Sequence, residues 1–170
     1  MRLCNRQDLR LWEALTWLFG DNSELVDPNA YNYETIFGIA RCNAIAEGVN
    51  KCRESHESRN WDALAATADG IGQSIVRHFY MTRFAEMGLS EEKGQQLAEV
   101  AQLQNQLNVK EFGKTFPSLK TRLQTLHDFR QQTITAHVEE TDGTPKAGIS
   151  DEHTAEAILN CLRQPLQMAV

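Results

Sequence analysis

An all-α fold, an antiparallel helical bundle of about five to six helices, is what this chain predicts, and three features carry the prediction. Apolar residues recur at three- and four-residue spacing, the period of one face of a helix. No segment alternates apolar and polar residues with the period of two that a half-buried strand needs. Only four prolines occur in 170 residues, so long stretches contain no strong helix breaker. Short connections imply antiparallel neighbours. With no internal repeat and no flexible linker, residues 1–170 form one domain, long enough for a real core.

Taken in order, residues 6–19 predict a first helix with Leu9, Trp12, Leu15, Leu18 and Phe19 on its apolar side. Gly20 ends it and Asp21-Asn22-Ser23 turns the chain. Trp12 and Trp17 fall on different faces, so one of them either points at a partner or packs under a loop. After a connector at 24–29, a second helix runs from about Ala30 to Ser55. Its small residues, Gly38, Ala40, Ala44 and Gly48, mark a face that another helix approaches closely. Asn60 caps a third helix, residues 61–87, with Trp61, Leu64, Ala68, Ile71, Ile75 and Phe79 inward and Gly88 as its stop. Gly70 and Gly72 inside it suit a kink or a close crossing. Ser90 caps a fourth helix, Gln-rich, with Leu97, Val100, Leu103 and Leu107 as its stripe and a solvated polar face. A loop at 108–117 tucks Phe112 and Phe116 beneath it.

Ser118 caps the next helix, residues 119–138, which carries the most informative pattern in the chain. Leu119, Leu123 and Leu126 aim one face at a core. Leu123, Arg130 and His137 are spaced by seven, close to two turns, so they share a column and Arg130 and His137 stand about 10 Å apart. An arginine and a histidine thus stand where leucines are expected, and a buried unpaired charge is costly. Two explanations are open. Arg130 reaches a carboxylate, such as Asp128, Glu139 or one on another helix, and His137 is a satisfied interior histidine. Alternatively the face opens into a cleft where the pair handles a phosphate. Arg77 or His78, on the third helix, is then the most plausible second contributor, although His78 adjoins core positions. A loop of about ten residues, 138–148, follows, acidic at Glu139 and Glu140. Ser150 caps a last helix from 151 to about 164, which Pro165 stops or kinks.

Composition narrows the function classes. Hydrophobic residues at 41% and charged ones at 24% are ordinary for a soluble globular protein, and a net charge of −6 argues against a general nucleic-acid coat. A local basic cleft remains compatible with that charge. No apolar run is long enough to span a membrane, and Asp8, Arg10 and Glu13 interrupt any signal-peptide-like stretch. Cytoplasmic residence with reduced cysteines is the expectation. Cys52 and His56 are four apart, but no second half-site completes a zinc centre, so no metal and no cofactor are expected. No basic recognition helix suggests DNA binding, and no nucleophile elbow or phosphate-cradling glycine loop suggests small-molecule catalysis.

The segment Arg130-Gln-Gln-Thr-Ile-Thr-Ala-His137 resembles the signature of the HEPN superfamily, an arginine, four to six residues, then a histidine. Polar Gln131 and small Ala136 are similar to that family, although many members carry Asn, Asp or His where this chain has Gln131. The resemblance covers about residues 95–165, and it is greatest to HEPN proteins of bacterial abortive-infection and toxin–antitoxin systems. It implies a metal-independent endoribonuclease acting on RNA as a homodimer, with Arg130 and His137 catalytic and two such pairs meeting at one cleft. Gln131, Arg77 and His78 are the expected substrate-binding residues. The alternative is a non-catalytic helical module that binds a partner protein, such as a nucleotidyltransferase-type antitoxin.

Overall fold

The computed structural model describes residues 6–20, 31–100, 102–134 and 136–170, and of residues 6–8 the backbone alone. The turn expected at Asp21-Asn22-Ser23, the connector at 24–29 and Cys4 lie outside the described residues. The chain is all-α. Nine α-helices occur among the described residues: α1 (Arg6–Phe19), α2 (Tyr33–Phe37), α3 (Ile39–Glu57), α4 (Trp61–Thr82), α5 (Glu91–Glu99), α6 (Leu103–Leu107), α7 (Lys110–Thr115), α8 (Pro117–Gln131) and α9 (Glu152–Ala169).

Helix α4 is the centre. It packs against α3, α5, α8 and α9, while α1 lies on α3. Its apolar residues follow the helical period, and Leu64, Ala65, Ala68, Ile75, Val76 and Phe79 are fully buried. Asn60 caps it as expected, its side chain accepting from Ala63 N at 3.1 Å. Small residues set the spacing to its neighbours. A Cβ on Gly48 of α3 would stand 2.8 Å from Ile71, and one on Gly72 would stand 3.1 Å from Leu123 of α8. Gly72 thus meets Leu123 and Leu126, while Asp69, a turn earlier, meets His127 and Arg130, so α4 and α8 run antiparallel.

The helix count exceeds the expected five to six because several expected helices are broken, each for a local reason. Gly38, at φ +81°, turns the chain and splits residues 30–55 into α2 and α3. The third expected helix ends at Thr82, and Phe84–Met87 form a 3-10 turn before Gly88, at φ +70°, stops it. Ser90 caps α5 as expected, but the backbone is extended at Val100 and α6 begins anew at Leu103. Buried Gln106 seals that break by donating to the Leu97 and Val100 carbonyls at 2.7 and 2.6 Å. The Gln-rich face is therefore not wholly solvated. The expected loop at 108–117 contains α7, which carries Phe112 into the core beside Phe116. Pro117 occupies the first turn of α8, and Phe116, rather than Ser118, is its cap. Asp151, rather than Ser150, caps α9 by accepting from Thr154 N at 2.7 Å. Helix α9 continues through Pro165 to Ala169, because Leu162, Pro165, Leu166 and Ala169 are all buried and that packing outweighs one missing backbone bond. Trp12 and Trp17 are both partly buried against the core, Trp17 edge-on to His56.

Helix α5 crosses the end of α4 at Gly94, with no room for a side chain. A Cβ there would collide with the Tyr80 carbonyl oxygen and stand 2.9 Å from Phe84 Cβ. Gly94→Ala is expected to destabilise the fold by about 1–3 kcal/mol, through overpacking, despite the better helix propensity of alanine. Urea unfolding of the variant beside the parent measures this as a lowered midpoint.

Candidate functional site

Helix α8 buries Leu119, Leu123 and Leu126 and turns its flank, His127 and Arg130, toward α4. There they meet Asp69, whose side chain is 1% exposed. Arg130 Nη1 lies 3.5 Å from Asp69 Oδ2, and His127 Nδ1 lies 3.4 Å from Asp69 Oδ1. Gln73 donates to Asp69 Oδ2 at 3.4 Å. Burial raises the Asp69 carboxyl above its ordinary range, and the neighbouring His127 and Arg130 reduce that rise without cancelling it. Arg130 is thus held at its base by a buried acid, yet 40% of its side chain is exposed.

Helix α8 does not continue to 138. It ends at Gln131, so Arg130 and His137 do not stand in one helical column. Several groups stop it. The Thr133 hydroxyl donates to the Arg130 carbonyl at 2.7 Å and accepts from Ala136 N at 3.1 Å, replacing helical bonds with a local turn. The Asp62 carboxylate of α4 accepts from Ile134 N at 3.2 Å and from Ile149 N at 2.8 Å, pinning both ends of the following loop. Lys146 Nζ donates to the Gln131 carbonyl at 2.6 Å, a cation at the negative end of the helix. The loop folds on itself through Glu140 N to Thr144 O at 2.7 Å and a bridge between Glu139 and Pro145. Gly148, at φ +74°, lies so close to Asp62 that a Cβ would stand 2.9 Å from its Oδ2.

The result returns His137 to the end of α8, where its Nε2 is hydrogen-bonded to Gln131 Oε1. Two concavities meet there. One, of about 480 Å³, is lined by Gln131, His137, Glu139, Glu140, Thr141 and Lys146. The other, of about 240 Å³, is lined by Gln73, Gln102, Leu103, Gln104, His127, Arg130 and Gln131. Gln131 belongs to both. An imidazole and a lysine ammonium at one concavity and a forked cation at the other therefore flank one glutamine, residue types suited to a phosphodiester.

The structure joins His137 to Gln131, places Arg130 in the neighbouring concavity that shares Gln131, and leaves Arg77 and His78 outside both concavities. His78 is buried, its ring 4.9 Å from that of Phe37. Burial, and then Arg41, pushes it down to about 4, so it is a neutral core residue near pH 7. Arg77 is half-buried, and burial first and then Arg77 lower the pKa of Arg41. His56, considered above with Cys52, bonds Glu156 of α9 at 3.0 Å, and Cys52 is buried, its thiol pushed up to about 12.

Sequence reasoning missed Asp69, His127, Asp62 and Lys146. A signal existed for the two acids: Asp62 and Asp69 are seven apart, so they share a face of α4, and an acid within an apolar stripe calls for a partner. His127 and Arg130 are three apart on α8 and supply it. Lys146 had no such signal, because its place depends on how the loop closes. Compared with family models, with curated proteins and with solved structures, the chain matches none.

Proposed function

We propose that the chain is a metal-independent endoribonuclease in which His137 moves the proton and Arg130 and Lys146 stabilise phosphate charge. The observation that carries this reading is that two concavities share Gln131, one lined by His137 and Lys146 and the other by Arg130. RNA supplies its own nucleophile, a 2′-hydroxyl beside the scissile phosphate. His137 takes the 2′-hydroxyl proton as the 2′ oxygen bonds to phosphorus. The bond from phosphorus to the 5′ oxygen breaks, and that oxygen leaves with a proton. The products are a 2′,3′-cyclic phosphate and a 5′-hydroxyl. Arg130 and Lys146 offset the negative charge that grows on the non-bridging oxygens.

One histidine serves one proton transfer at a time, so two copies of the chain at one cleft supply the base and the acid together. Exposed Ile134 and Val138, 46% and 72% accessible on the loop that carries His137, support a contact there. The resemblance to abortive-infection and toxin–antitoxin HEPN proteins extends the proposal to a toxin or effector restrained by a protein antitoxin.

Arg130→Lys keeps the charge but loses the fork, and is expected to lower cleavage about 10²-fold while leaving the helical circular dichroism unchanged. Initial rates on a defined RNA in EDTA measure this, and a rate equal to that of the parent contradicts the role of Arg130. A second reading, a non-catalytic module binding a partner protein, is favoured by the Arg130–Asp69 ion pair and by Glu139 and Glu140 lining the His137 concavity. A protein that leaves RNA uncut at any concentration, with or without EDTA, decides for it.

A further inference from the structure

Four side chains form a line from the core to the surface. Asp69, 1% exposed, faces His127 Nδ1 across 3.4 Å, and the His127 side chain is 12% exposed. The two facing atoms, Asp69 Oδ1 and His127 Nδ1, are buried, and among the described residues neither has a hydrogen-bond partner, so their 3.4 Å approach is the polar contact open to each. On the far side of the ring, His127 Nε2 lies 3.1 Å from Gln131 Nε2. The same amide, through Oε1, is bonded to His137 Nε2.

Each contact fixes the next. When ionised, with Arg130 at its other oxygen, Asp69 accepts and does not donate, which puts the proton of the pair on His127 Nδ1. A neutral imidazole protonated at Nδ1 has its lone pair at Nε2. The Gln131 amide must then present its NH2 to His127 and its oxygen to His137. That oxygen only accepts, so His137 Nε2 bears a proton. The remaining nitrogen of His137, Nδ1, keeps the lone pair. Glu139, Glu140 and Lys146 line the same concavity, but on the α8 side it is Gln131 Oε1 that accepts from His137 Nε2.

We propose that Asp69, His127 and Gln131 form a hydrogen-bond relay that sets which nitrogen of His137 carries its proton, leaving Nδ1 as the atom that takes the 2′-hydroxyl proton. Asp69 and His127 are positioning residues in this scheme, since they act on His137 only through Gln131. The catalytic meaning of the relay rests on the nuclease reading, but the proton positions do not.

The test is the long-range 1H–15N spectrum of the full chain, recorded above the titration range of histidine and assigned with His127→Gln and His137→Gln. The expected pattern is a proton on Nδ1 of His127 and on Nε2 of His137. Exposed His153 serves as the solvated reference. In Gln131→Met, which keeps the size of the side chain and removes the amide, His137 moves to the averaged pattern of His153 while His127 keeps its Nδ1 proton. In His127→Phe, His137 moves in the same way. RNA cleavage by either variant falls at least about tenfold, with an altered pH profile. A proton on Nε2 of His127 overturns the relay, as does a His137 pattern unchanged in Gln131→Met. If the proton pattern is found in a protein that cuts no RNA, the relay stands and the nuclease reading fails. If RNA is cut while His137 shows the averaged pattern in the parent, the relay fails and the nuclease reading stands.

Discussion

His137→Ala is expected to cut RNA about 10²–10⁴-fold more slowly than the parent, with or without EDTA. Two histidines line these concavities; the His127 side chain is 12% exposed and faces Asp69, while His137 is the exposed one, with an imidazole that can both take and give a proton. Removing it leaves Arg130 and Lys146 in place, so RNA still binds and charge stabilisation persists. The loss therefore falls on turnover more than on affinity. Folding is spared, because His137 is exposed and its side-chain hydrogen bond is to Gln131 alone among the described residues. Single-turnover rates at saturating protein, beside a binding isotherm for the same RNA, separate the two effects. Equal loss of binding and rate would point instead to a collapse of the loop at 132–150.

The second large effect is on stability and lies outside the site. His78 is held neutral in the core by burial, with Arg41 and Arg83 also opposing its charge and a hydrogen bond with the Ala169 backbone pulling the other way. Its folded value, about 4, is below the ordinary 6.5, so the unfolded chain binds the proton first as pH falls. Stability from this residue is fully present above 6.5 and is lost as pH falls toward 4. The total is about 3 kcal/mol, at 1.36 kcal/mol for each unit of difference. Urea midpoints across this range are expected to fall faster for the parent than for His78→Leu, which has no proton to bind. Parallel pH profiles for the two proteins would contradict a neutral buried His78.

What the sequence revealed and what it hid divide along the range of the interactions. Asn60 and Ser90 act within one turn of themselves, and both caps were legible. The inward stripes of α4 and α8 were legible for the same reason, since Leu119, Leu123 and Leu126 announce their face by spacing alone. Breaks between helices were harder. Gly38 reads equally well as a small packing residue and as a turn, and only its positive φ decides. The end of α8 was out of reach. The run after Gln131 contains no Gly or Pro until Gly143, and it leaves the helix because Asp62, 72 residues earlier, and Lys146, 15 residues later, take its backbone groups. The spacing of Arg130 and His137 assumed a helical column, but the helix ends at Gln131. A reversed turn, not a helical column, brings His137 back to Gln131. Asp69 shows the other limit: a buried acid is visible in an apolar stripe, but its partners belong to a different helix.

The measurement that tests the central claim most directly is the chemistry of the cut ends. A defined RNA is digested with purified full chain in EDTA, and the fragments are analysed by mass. The account predicts fragments that end in a 2′,3′-cyclic phosphate and begin with a 5′-hydroxyl, at a rate unaffected by the chelator and lost in His137→Ala. Fragments with 3′-hydroxyl and 5′-phosphate ends that form only when magnesium is added, or no fragments at all, would contradict it.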